Sequence, residues 1–199
     1  MLLACALMAG SLLVIDGAPD ERPPQPSAAQ AFSTSARPSA APAAVLPLPR
    51  SVPVRLRIPA IGVDAPLTRL DLDAAGALRP PPADKPGLAG WYGDGTAPGS
   101  AGTAVTAGHV DTRTGPGVFY DLGAVTKGDL IEISRADRRT AVFSVDGVEV
   151  HDKKGFPDEK VYGSSGRAEL RVITCGGGYS RRTGYQGNIV IYATLTAVT

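Results

Sequence analysis

The chain has 199 residues, enough for one domain of ordinary size. Its 20 basic and 19 acidic residues leave a net charge of +1, which excludes an electrostatic basis for nucleic-acid binding. The 2 cysteines, Cys5 and Cys175, exclude a disulfide-stapled scaffold, and the 24 glycines and 18 prolines argue for many turns and short strands over long helices.

Residues 2–15 are an uncharged apolar run, shorter than the roughly 20 residues a membrane-spanning helix needs. The run reads as an export signal or single-span anchor lacking its first residues, and an anchor is favoured over a cleaved signal. Residues 16–50 are rich in proline, alanine and serine with cancelling charges, a composition expected to stay extended as a disordered linker. The domain proper is expected over 51–199.

From there the pattern turns to short apolar alternations. Val54–Ile58 alternates as a half-buried strand does, and Ile61–Leu67, interrupted by Pro66, is expected at a sheet edge. Further strands are predicted over Thr103–Ala107, Asp129–Ser134, Thr140–Val145, Val148–His151, Glu169–Thr174 and Asn188–Leu195, with Asp146-Gly147 as a hairpin turn. Val118–Leu122 and Pro157–Tyr162 are the expected helical turns. Many short strands with little helix predict an all-β barrel or sandwich.

Cys175 ends one predicted strand, and three glycines follow it. His109 ends another, after Ala107-Gly108. Both positions are open to another chain, and a thiol beside an imidazole is the material of nucleophilic catalysis: the thiolate attacks, and the imidazolium later protonates a leaving amine. His151 is the other histidine and lies in a polar hairpin arm, so His109 is favoured. An oxyanion donor is also required. Backbone N–H groups of Gly176 and Gly177 are candidates, as are the guanidinium groups of Arg181 and Arg182.

Thr103-Ala-Val-Thr-Ala-Gly-His-Val-Asp111 together with Leu170-Arg-Val-Ile-Thr-Cys-Gly-Gly177 resembles the paired catalytic strands of sortases. Ile58–Pro66, Gly90–Tyr92, Ala97–Gly99, Thr183–Tyr185 and Asn188–Ala193 are similar to other segments of that family, in the same order. The forms Thr-Cys-Gly-Gly and Gly-His-Val-Asp most resemble class F of high-GC Gram-positive bacteria, with class E next. The resemblance implies an all-β, eight-stranded sortase-type barrel with one or two short helices. It also implies a cysteine transpeptidase with Cys175 as nucleophile and His109 as general acid/base. In many sortases an arginine stands where this chain has Asn188, so Arg181 is the expected substitute. Thr174 and Arg182 are expected to contact substrate.

The implied partners are Leu-Pro-x-Thr-Gly-like sorting-signal peptides of exported proteins and an amine acceptor in peptidoglycan or a pilin. The implied setting is a membrane-tethered monomer at the extracytoplasmic face. No cofactor or metal is expected, since two histidines and one domain cysteine at these spacings form no ligand pattern and Asp71, Asp73 and Glu159 read as solvated surface. A wall-binding barrel without catalysis and a peptidase that only hydrolyses are the alternatives.

Overall fold

The structure, a computed structural model, describes residues 22–32 and 45–199. The apolar run at 2–15 lies outside the described residues; among those described, no helix is long and apolar enough to cross a membrane. Ten strands follow in chain order: β1 Pro53–Ile58, β2 Val63–Leu70, β3 Ala89–Tyr92, β4 Gly102–Ala107, β5 Asp111–Thr112, β6 Gly115–Pro116, β7 Leu130–Arg135, β8 Thr140–Asp152, β9 Ala168–Ser180 and β10 Gly184–Val198. Eight close into a barrel in the order β1-β2-β3-β4-β9-β10-β8-β7, while β5 and β6 form a separate ribbon. The single α-helix among the described residues is α1, Asp158–Tyr162, with Pro157 as its N-cap. This is the all-β, eight-stranded barrel expected from the sequence.

Alternation builds the barrel wall. In β7, Ile131 and Ile133 turn inward while their neighbours face outward, as the period of a pleated strand requires. They meet Leu56, Phe143, Leu170, Ile189 and Ile191 in the interior, and each such side chain contributes about 1.5–3 kcal/mol by leaving water. β4 and the first half of β9 are buried on both faces, so their sequences read as continuous apolar runs. The outer face of β4, β9 and the neighbouring β10 carries a second cluster, Val105, Ile173, Val190 and Tyr192, with Val161 of α1, Leu78 and Phe156 packed against it.

Several local expectations change. Asp146-Gly147 is not a hairpin turn: β8 runs through it unbroken, and Asp146 is the extra residue of a bulge between the pairs Tyr192↔Gly147 and Ala193↔Val145. Neither residue has the left-handed backbone that a two-residue hairpin turn demands, and the Asp146 carboxylate accepts from the Thr194 hydroxyl at 2.6 Å. β2 is not an edge strand; it lies between β1 and β3. Pro66 is tolerated because it falls where pairing with β1 gives way to pairing with β3. β3, only four residues long, was not among the predicted strands. The glycines after Cys175 are not a loop, since β9 continues through them to Ser180. Val118–Leu122 yields only the 3-10 turn Leu122–Ala124.

Within the expected linker, two stretches are seated on the barrel. Leu48 N–H donates to Gly99 O at 2.7 Å, and the buried Arg135 guanidinium holds Pro49 O at 2.5 Å and Asp137 at 3.1 Å. On residues 22–32, Lys127 Nζ donates to the carbonyls of Ala29 and Ala31 at 3.0 and 2.6 Å. Phe32 sets its ring edge-on to Tyr192 at 5.2 Å.

Candidate active site

β4 and β9 run parallel as neighbours, in register at Thr106↔Val172 and Ala107↔Ile173. Just beyond, Gly108 N–H donates to Ile173 O at 3.2 Å. The buried Thr174 hydroxyl donates to Gly108 O at 2.9 Å. Adjacent strands are about 4.8 Å apart, so the next residues, His109 and Cys175, emerge side by side. Both line one cavity of about 870 Å³. Thr174, expected to contact substrate, thus has its proton committed to the backbone that carries the histidine, although the residue also lines the cavity.

The cavity is a largely apolar groove. Val105, Ala107 and Ile173 form its floor, residues from Leu72 to Pro80 one wall, and Asp158 and Tyr162 of α1 the other. The α1 wall is fixed from beneath. Arg171 Nε donates to Val161 O at 3.1 Å, its Nη2 pairs with Glu169 at 2.8 Å, and its guanidinium lies 4.7 Å from the Tyr192 ring centre.

Cys175 is a free, half-buried thiol. His109 is held by main chain on two sides. Its carbonyl accepts from Phe119 N–H at 3.0 Å, and its Nε2 lies 2.7 Å from Pro81 O. Gly117 makes the close turn here: a Cβ on it would fall 2.3 Å from His109 O, so no other residue fits. His151 lies elsewhere, with Nε2 2.9 Å from Tyr192 Oη and 3.1 Å from Glu149, in a partly buried cluster with Phe156. Burial lowers its pKa below the usual imidazole value, against the opposing pull of Glu149.

Beyond Cys175, β9 and β10 continue as a hairpin arm with Cys175↔Asn188, Gly176↔Gly187 and Tyr179↔Tyr185 in register. Cross-strand partners share a face, and Asn188 accordingly lines the cavity beside the thiol. Arg181 and Arg182 sit on the exposed turn at the tip of this arm, and neither lines the cavity. The arm is braced by Tyr185, whose hydroxyl donates to Asp111 at 2.5 Å and whose ring packs against Tyr179 at 5.0 Å. Gly177, with φ of +75°, donates its N–H to Gln25 Oε1 at 3.0 Å, so this backbone donor is engaged by the segment 22–32.

Pro81 and Gln25 carried no signal in the sequence pattern, and Asp111 and Tyr185 stood only inside segments of family resemblance, with no sign that they bond each other; these contacts become visible only at long range. Asn188 did carry one. With Val190 and Tyr192 it forms one face of a strand, and that face belongs to the outer cluster and the groove.

A thiol, an imidazole and a carboxamide donor at one end of an apolar groove can attack a peptide carbonyl, hold the resulting oxyanion and protonate the departing amine. Among the described residues, no group of three or more histidine, cysteine or acidic side chains is placed to hold a metal.

The sequence model of one protein family, described as Sortase domain, matches residues 56–196. Among solved structures, sortase C-1 from Actinomyces oris is similar with a TM-score of 0.55 and 19% identity, over 72% of this chain and 73% of that one. A lid mutant of sortase A from Corynebacterium diphtheriae gives 0.56 and 18%, over 75% and 73%. The SrtA sortase from Actinomyces oris gives 0.53 and 18%, over 81% and 89%. At these identities the structures speak to the fold. A comparison with curated proteins gives no match.

Proposed function

Since the chain belongs to the sortase family, we propose that it is a cysteine transpeptidase that cleaves a sorting signal of Leu-Pro-x-Thr-Gly type and passes the acyl group to an amine of peptidoglycan or a pilin. The observation that carries this reading is the emergence of His109 and Cys175 from adjacent parallel strands into one groove. Its class F character, with class E next, rests on the Thr-Cys-Gly-Gly and Gly-His-Val-Asp segments. It works at the cell surface as a tethered monomer, with residues 2–15 as anchor.

The signal peptide lies extended along Val105, Ala107 and Ile173. Cys175 Sγ gives its proton to His109 and attacks the threonine carbonyl. The oxyanion takes a hydrogen bond from the Asn188 carboxamide, which stands across the ladder from Cys175 and lines the groove. Arg181, at the tip of the arm, reaches the same oxyanion only if the turn Ser180–Gly184 folds over the groove. The C–N bond breaks, His109 returns the proton to the leaving glycine amine, and a thioacyl enzyme remains. An acceptor amine then displaces the thiol.

Incubation with a sorting peptide and an amine, followed by intact-mass measurement, tests this. The expected results are a thioacyl adduct on the wild type, none on Cys175→Ala, and a transfer product with the amine. An adduct persisting in Cys175→Ala removes the nucleophile, and release of free acid alone makes the enzyme a hydrolase.

A further inference from the structure

The segment between β2 and β3 does more than wall the groove. Asp71–Arg79 is a small closed hairpin: Leu72 bridges Leu78, Asp73 N–H donates to Ala77 O at 2.8 Å and Arg79 N–H to Asp71 O at 3.0 Å. The Asp73 carboxylate caps its turn by accepting from Ala75 and Ala77 N–H, both at 2.9 Å. Three consecutive prolines follow, Pro80, Pro81 and Pro82, which hold an extended backbone of low entropy. Pro81 alone of the three is buried, and its carbonyl faces His109 Nε2 at 2.7 Å.

A carbonyl oxygen only accepts. The 2.7 Å contact therefore requires a proton on Nε2 and leaves Nδ1 as the one ring nitrogen free to exchange a proton. Among the described residues, no acidic side chain is bonded to the His109 ring. We propose that Pro81 is the positioning residue of this site: its main-chain carbonyl, held by the triple-proline strap, fixes His109 in the Nε2–H tautomer and aims Nδ1 at the chemistry. The proposal rests on the transpeptidase reading for its catalytic meaning, but its physical content stands on the free protein.

The proton accounting is closed. Cys175 Sγ–H breaks as Nδ1–H forms, giving a thiolate and an imidazolium. The imidazolium keeps its Nε2–H on Pro81 O throughout. Nδ1–H then passes to the leaving amine as the scissile C–N bond breaks, and the starting tautomer is restored. Leu72, Ala77 and Leu78 of the hairpin and Pro80 of the strap line the groove, so the occupant of the groove bears on the segment that carries Pro81.

The test is a two-bond ¹H–¹⁵N correlation spectrum of the full-length ¹⁵N-labelled protein at a pH where His109 is neutral, with His151→Gln to assign the second ring. The expected wild-type pattern is a single Nε2–H tautomer for His109. A Nδ1–H pattern, or the averaged pattern of a freely exchanging imidazole, overturns the proposal. In P80G/P82G, which loosens the strap and keeps Pro81, the His109 pattern should move toward averaging, and kcat for peptide cleavage should fall roughly 10- to 100-fold with a smaller change in KM. A Nε2–H pattern persisting unchanged in P80G/P82G also overturns it, and the backbone amide spectrum reports whether that variant is folded. Failure of the function reading looks different: the Nε2–H tautomer would be present while no thioacyl adduct forms on wild type.

Discussion

Asn188 stands directly opposite Cys175 in the β9–β10 ladder, and the two line the same groove. This pairing places a neutral donor, rather than a guanidinium, next to the Cys175 thiol. Asn188→Ala should lower kcat for thioacyl formation by about 10²–10³-fold, the usual loss for one oxyanion donor, with KM little altered. Arg181→Ala should change kcat by less than about threefold, as expected of an exposed turn residue. Single-turnover kinetics with a sorting peptide measure both; a large Arg181 effect with a silent Asn188 would return the role to the arginine.

His109→Ala should remove proton transfer while leaving the groove intact. A kcat loss of about 10²–10⁴-fold is expected, with the peptide dissociation constant nearly unchanged. Equilibrium binding to the alkylated or Cys175→Ala background separates the two; weakened binding alone would argue against an acid/base role.

How much of this could be read from the chain alone varies with the range of the interaction. Strand positions such as Leu130–Arg135 and Gly102–Ala107 follow from local alternation and apolar runs, and the placement of His109 just past the end of β4 follows with them, whereas Cys175, expected to end its strand, lies inside β9. Asp146-Gly147 misled because the same dipeptide that closes a tight hairpin also serves a bulge. The decision rests on β10, a long partner that pairs with both halves of β8. Gly176 to Gly178 misled for a related reason: glycine lowers strand propensity, yet here the missing side chains let β9 lie close to Ile189 and Val150. The Pro81–His109 and Gln25–Gly177 contacts join residues distant in sequence, and no periodicity announces them.

Glu169 and Arg171 form a buried pair, their side chains 9% and 8% exposed. Glu169→Gln leaves Arg171 charged beneath α1 without its carboxylate, at a cost of about 3 kcal/mol. Chemical denaturation should show this as a lower midpoint. Arg171→Met removes both charge and the bond to Val161 O, so it should raise KM for the peptide through a looser α1 wall more than it lowers kcat.

Acid should destabilise the fold through His151. Burial holds its pKa below the ordinary imidazole value, so between that value and the lower folded one the unfolded chain binds the extra proton. Stability therefore rises with pH across this window. The penalty is absent above it and grows as the pH falls through it. Thermal melts at about pH 7.5 and about pH 5.5 should show a Tm loss on acidification, and His151→Gln should shrink it. An identical pH response in the variant would assign the effect to the carboxylates.

Tyr185→Phe removes the bond to Asp111 that ties the hairpin arm to the backbone two residues past His109. The pair is solvent-facing, so Tm should barely move, while kcat/KM should drop severalfold, equivalent to about 1 kcal/mol.

The course of residues 22–32 has a mechanical consequence. Read from the amino end, the segment meets Gly123 at Pro24, then Gly177 at Gln25, then Lys127, and last Tyr192 at Phe32. Tension applied at that end peels the contacts in this sequence. It therefore frees the Gly177 N–H of β9, two residues past Cys175, before it loads β1, and a taut chain and a slack one differ in whether that backbone donor is engaged.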